Sequence, residues 1–181
     1  MLPSLIGVIA SSGGGVATSY ESIATVSVGS GGASSITFSS IPSTYQHLQI
    51  RYIARTNRSA TSDLLNIAIN GSATTTGHYI YANGSNPISA GVLNSFVGWG
   101  TANSTASNTF GVGVIDILDY ADTNKNRVVR ALAGWDGNGD GEIALSSVLQ
   151  TSTTALSSFT ITPNTGSFVQ YSSFALYGIK G

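Results

Sequence analysis

Residues 126–149 read NRVVRALAGWDGNGDGEIALSSVL, and the reading given to the middle of this stretch decides the fold class. Asp136, Asn138, Asp140 and Gly141 occupy the first, third, fifth and sixth places of a helix-flanked calcium loop, which would set a helix on either side. The twelfth place is Ser147, so the bidentate glutamate that completes such a shell is missing. The flanks disagree as well, because VVRALAGW and EIALSSVL are β-branched or mixed apolar runs with no helix cap at either border. Asn138-Gly139 and Asp140-Gly141 are the dipeptides that tight hairpins favour, since Gly, Asn and Asp tolerate a positive φ. The stretch is therefore read as two antiparallel strands joined by a turn, with Asp136, Asn138 and Asp140 kept as weak metal candidates.

The same signal recurs along the chain. IATVSV, SSITFSSI, HLQIRYIA, LLNIAIN, TFGVGVIDIL, SSFTIT and SSFALYGI are short, alternating, and bounded by Gly, Pro, Asn, Asp or Ser. HYIYA and LNSFVGW add one or two more, although the Gly-, Ser- and Thr-rich region 71–108 also reads as long loops. Ile36 and Phe38, Leu48, Ile50 and Tyr52, Leu65, Ile67 and Ile69, and Phe174 and Leu176 mark buried faces at period two. No segment carries an apolar period of 3.6 over three turns, and DYADTNKN, 119–126, reads as a polar turn. These features predict an all-β protein: a β-sandwich, with jelly-roll topology favoured by the long connections, over residues 20–181. Residues 1–19 read as a short apolar arm, with Leu2, Leu5, Ile6, Val8 and Ile9 as its assembly side chains, joined through a Gly-rich hinge.

Composition narrows the function classes. Only 8% of the 181 residues are charged and the net charge is −1, which leaves no basic face for nucleic acid. The apolar run in the arm is too short to span a bilayer, so no membrane partner is expected. A chain with so few charges favours self-association. Cysteine is absent, which excludes thiol nucleophiles and cysteine metal sites.

Titratable groups offer little chemistry. His47 alternates with Leu48 and Ile50 and so faces away from the core, and His78 borders a loop with no partner at ligand spacing. Asp116, Asp119 and Asp122 form the densest acidic group, but Asp116 falls in a strand and the other two read as turn formers. Arg51, Arg55 and Arg58 suggest a small basic spot, or ion pairs to Asp63. No catalytic residue or cofactor is expected. Tyr79, Tyr81 and Trp99 lie in the polar middle region and are the candidates for ligand contact, because exposed rings can stack on sugars.

Three segments, YESIATVSVGSGGASSITFSSIPSTYQHLQIRYIARTNRSA (20–60), VIDILDYADTNKNRVVRALAGWD (114–136) and ITPNTGSFVQYSSFALYGIKG (161–181), resemble a group of tailed-bacteriophage structural proteins described as virion or tail-associated. The region 71–108 carries little of the likeness. The resemblance implies a non-enzymatic virion component, on capsid or tail, with other virion proteins as partners. It carries over no catalytic residue. A homotrimer is the expected assembly, fastened by the arm; the rival expectation is a module that binds host surface glycans.

Overall fold

The computed structural model describes residues 19–73, 76–84 and 86–181, without the side chains of 86–88. The arm residues Leu2, Leu5, Ile6, Val8 and Ile9 lie outside the described residues. Within them the chain forms thirteen strands and no helix: β1 (Tyr20–Ser27), β2 (Ile36–Phe38), β3 (His47–Ala54), β4 (Ser62–Ile69), β5 (Ser72–Ala73), β6 (Thr76–Asn83), β7 (Asn86–Val92), β8 (Phe96–Thr101), β9 (Gly111–Ile117), β10 (Arg127–Asp136), β11 (Gly141–Gln150), β12 (Phe159–Pro163) and β13 (Ser173–Ile179). The expected β-sandwich is what forms.

A large antiparallel sheet runs β1-β13-β3-β9-β10-β11-β6-β7 and faces a smaller one, β2-β12-β4-β5, in which β8 also pairs with β4. Both β5 and β8 lie on the edge of β4 away from β12, β8 at its start and β5 at its end. The region 71–108, which allowed a reading as loops, instead holds β5, β6, β7 and β8. Neither β5 nor β7 was foreseen, since SA and NPISAGV carry no alternation of large apolar residues.

Period-two patterning builds the core. Leu48, Ile50, Ile115, Ile117, Phe174 and Leu176 of the large sheet meet Ile36, Phe38, Ile67, Ile69, Phe159 and Ile161 of the small one. All of these are essentially buried. At β8 the layers approach closely, and Gly98 takes φ +136 there; a Cβ on it would run into Ala133 Cβ and lie 2.5 Å from Tyr52 Oη. Tyr52 donates a hydrogen bond of 3.2 Å to the Trp99 carbonyl across this gap, and burial pushes its phenol up from the ordinary value.

Two buried arginines fasten the passages between the sheets. Arg55, at the end of β3, donates to the carbonyls of Ala106 and Thr109 (2.9 Å each) and Thr105 (2.9 Å), holding the loop from β8 to β9. Arg127 donates to the carbonyls of Tyr120 (2.8 Å), Ser152 (2.9 Å) and Thr154, tying the β9–β10 turn to the loop that leads from β11 to β12. A planar fork with five donors suits such clusters of carbonyls. Burial lowers the pKa of both guanidiniums. Of the two readings of Arg51, Arg55 and Arg58, the ion pair to Asp63 is the one that forms, with Arg58 3.6 Å from that buried carboxylate, and no basic spot gathers because Arg55 turns inward. DYADTNKN is also more than a polar turn: Tyr120 is completely buried and its hydroxyl donates to the Pro42 carbonyl.

Candidate functional site: the outer face of the large sheet

The stretch 136–141 forms the expected turn between antiparallel strands. Asp136 pairs with Gly141, and Asn138 (φ 61) and Gly139 (φ 132) take the positive φ that the turn demands. The Asp136 carboxylate accepts from the Asn138 amide at 2.8 Å, and Gly137 N–H donates to the Asp140 carbonyl at 2.7 Å. Asp136 is thus engaged in a local Asx turn. Among the described residues no group of three or more His, Cys, Asp or Glu is gathered for a metal ion.

Tyr79, Tyr81 and Trp99 do come together, but on the inward side. Trp99 is 7% exposed, and Tyr79 and Tyr81 pack against a second core cluster of Phe96, Trp99, Trp135 and Ala144. The rings meet one another edge-on, Tyr81 with Trp99 at 5.6 Å and Tyr79 with Phe96 at 5.4 Å between centroids. Trp99 is closed within the sandwich, while Tyr79 and Tyr81 are half-buried against it.

His47 does point away from the core, and its Nδ1 accepts the Asp119 amide at 3.0 Å. Asp119 pairs with Lys125 at 2.6 Å, which holds its carboxyl below the usual range. Asp122 accepts from the Asn124 amide at 2.7 Å, as a turn former does, and its pKa is likewise lowered. Asp116 stands apart from both on the outer face of β9, between the Gln49 amide (2.9 Å) and Arg130 (2.9 Å). Asp119 and Asp122 thus share Lys125, and Asp116 is held separately. His78 lies exposed on β6, in register with Ser147 and Val92.

What sequence reasoning missed is the outer face of the large sheet. Val114 of β9 is in register with Leu132 of β10, Leu132 with Leu145 of β11, and Leu145 with Ile80 of β6, so one apolar row crosses four strands. A second row runs from Ile53 through Val112 and Gly134 to Ile143. Val128 and Leu149 pair in a third. Between the first and third rows runs a polar row of Gln49, Asp116, Arg130, Ser147 and His78, in which the one acid and the one arginine neutralise each other. Arg51 closes one end of the first row; its Nε donates to Gln49 at 2.9 Å and its guanidinium lies over Tyr177 and Tyr20. Because Gly134 brings no side chain to the second row, a shallow groove opens there between Val112, Leu132 and Ile143.

No family model matches this chain. No curated protein and no solved structure matches it either. The geometry itself therefore carries the functional argument, and what it offers is a wide apolar face.

Proposed function

We propose that this chain is a non-enzymatic structural subunit of a tailed-bacteriophage particle, either a capsid decoration or fibre protein or a component of the tail fibre. It assembles with copies of itself, and the apolar stretch around Leu5 and Ile9 attaches it to the other virion proteins. One observation carries the reading: the outer face of the large sheet is apolar with its charges paired, which is how an assembly subunit is built.

The strand order supports a finer reading of the fold. β1-β13-β3-β9 opposite β2-β12-β4-β8 is the nested order of a jelly roll, with β10, β11, β6 and β7 extending one edge of the first sheet. Jelly rolls recur in capsid proteins, although they also serve lectins and enzymes, so the topology supports the class of function without fixing it. The likeness of residues 20–60, 114–136 and 161–181 to virion proteins of tailed phages points to the kind of assembly. The test is gold-labelled antibody against the chain, applied to tailed particles purified from a lysate of the host that carries the gene. Labelling at a fixed place on each particle is expected. Chain found only in the particle-free fraction would overturn the reading.

A further inference from the structure

We infer that the outer face of β9, β10, β11 and β6 is covered by the same face of another copy of this chain. This rests on the structural-subunit reading above and names the partner for its main surface.

The first argument is an inversion of side-chain size. In a two-layer sandwich each strand turns its larger apolar residues inward and its smaller or polar ones to water. β11 does the reverse: its inward positions are Ala144, Ser146, Val148 and Gln150, and its outward ones include Ile143, Leu145 and Leu149. β10 turns Val129 and Trp135 inward as a one-core strand would, but between them it sends Ala131 and Ala133 inward and Leu132 outward. Ile143 is 57% exposed and Leu132 is 53% exposed, which is backwards for strands with a single core. Strands covered on both faces are apolar on both parities, and these two follow that pattern.

The second argument is extent. Ten aliphatic residues on this face and its borders are each about half open to water. At roughly 80 Å² apiece they expose on the order of 800 Å² of apolar surface, about one partner's share of a stable interface; the six in the two adjacent rows, Ile53, Ile80, Val112, Leu132, Ile143 and Leu145, form one patch, and the other four stand at or beyond the polar row.

The third argument is charge, and it selects the occupant. Asp116 and Arg130 already neutralise each other at 2.9 Å, so the face has little net field with which to choose a charged partner. The whole chain carries only −1, so two copies hardly repel. A flat, neutral, apolar sheet face is self-complementary, and it stacks on its own kind at the ordinary sheet-to-sheet distance of about 10 Å. Leu132 and Leu145, paired in the middle of the first row, would then lie at the centre of the contact.

The experiment uses the full chain in analytical ultracentrifugation. The wild type is expected to sediment at a multiple of 18.5 kDa, and Leu132→Glu with Leu145→Glu to fall to 18.5 kDa with an unchanged far-ultraviolet spectrum. Desolvating two carboxylates at the centre of an apolar contact should weaken association by about a hundredfold or more. Thr37→Glu, on the exposed side of the small sheet, should leave the mass unchanged. Because the chain contains no cysteine, Leu132→Cys gives a second readout that does not depend on tolerance of the charge: it should form a linked pair under mild oxidation, and Thr37→Cys should not. A wild type that stays at 18.5 kDa at tens of micromolar, a double glutamate variant that keeps the wild-type mass, or a Leu132→Cys chain that forms no linked pair would each overturn the inference. Particles labelled by the antibody while the chain itself is monomeric would sink this inference alone. A multimer without labelling would sink only the virion reading.

Discussion

Replacing Arg127 tests whether a buried guanidinium, and not an ion pair, holds the two sheets in register. The residue is 2% exposed at the start of β10, and its hydrogen bonds go to backbone carbonyls of Tyr120, Ser152 and Thr154, with a longer one to Asp122 at 3.4 Å. Hydrogen bonds to a charged group contribute about 1.5–3 kcal/mol each, and buried carbonyls left without a donor cost about 1–3 kcal/mol each. The two effects overlap and loop carbonyls partly rehydrate, so Arg127→Met should destabilise by about 3–5 kcal/mol. Arg127→Lys, with a shorter stem and a compact ammonium, reaches one or two of the carbonyls and should lose about 2–3 kcal/mol. For a chain of this length each kcal/mol moves the melting point by about 2–4 °C, so the methionine variant should melt about 10 °C lower. Thermal melts must be run at one fixed protein concentration, because self-association stabilises by mass action. Lys125→Met is the comparison: its pair with Asp119 is a short 2.6 Å, but its side chain is 54% exposed, and an exposed pair is screened. It should melt with the wild type. An Arg127→Met chain that melts within about 2 °C of wild type would refute the assignment of this crossover to the guanidinium.

Gly98→Ala should destabilise by about 3 kcal/mol or more, from the positive φ and the collision with Ala133 and Tyr52, read as a lower urea midpoint; an unchanged midpoint would mean that the layers are not in contact there. Tyr120→Phe keeps the ring and loses the hydrogen bond to Pro42, so a loss of about 1 kcal/mol is expected in the same assay, and none if the hydroxyl is idle. Asp63 is completely buried, neither of its carboxylate oxygens has a well-formed hydrogen bond, and burial raises its pKa above the ordinary 3.8. A raised acid favours folding when protonated, so its contribution is full below that value and lost as pH rises through the folded pKa. Asp63→Asn should therefore gain on the wild type at neutral pH, with the gap closing toward pH 4; a gap that widens on acidification would reverse the sign of the argument. Glu21, Asp119 and Asp122 act oppositely: their carboxyls are lowered by Lys180, by Lys125 and by the Asn124 amide respectively, so their stabilisation disappears as pH falls below the ordinary range.

The fold was legible wherever one parity carried the apolar residues. HLQIRYIA, LLNIAIN and SSFALYGI put Leu48, Ile50, Leu65, Ile67, Phe174 and Leu176 in the core, and the strands formed around them almost to the residue. The turn at 136–141 was legible for a different reason, since Asn-Gly chemistry is local and needs no partner. Tyr120, Arg55 and Arg127 were not legible. Each sits in polar surroundings along the sequence and is buried only because crossovers distant in the chain close over it, and no local period records that. Tyr79, Tyr81 and Trp99 were grouped correctly and placed on the wrong side. β8 folds under β6, so rings that look solvent-facing in a Gly- and Ser-rich context become a second core. The outer face did leave a signal, in that VVRALAGW and EIALSSVL are apolar on both parities, but reading them as one-sided alternation discards half of it.

The placement of the charges binds these observations together. All seven Lys and Arg side chains are engaged: Arg55 and Arg127 on buried carbonyls, Arg58, Lys125, Arg130 and Lys180 against acids, and Arg51 on Gln49 and two tyrosine rings. A soluble sheet is ordinarily kept from sticking to other proteins by unpaired lysines and glutamates scattered over its open face. Here the open face of the large sheet has Arg51, Arg130 and Asp116 in its middle strands, each already satisfied, and large aliphatics where the protective charges would stand. Such a surface is hazardous for a free monomer and suited to a subunit whose face is covered soon after folding. The same scarcity of charge also accounts for the arginine clamps. With an apolar face open on the outside of the large sheet, the sandwich cannot rely on hydrophobicity alone to decide which side of that sheet is its own core. Directional hydrogen bonds from Arg55 and Arg127 draw the crossovers to the inner side and leave the outer side open.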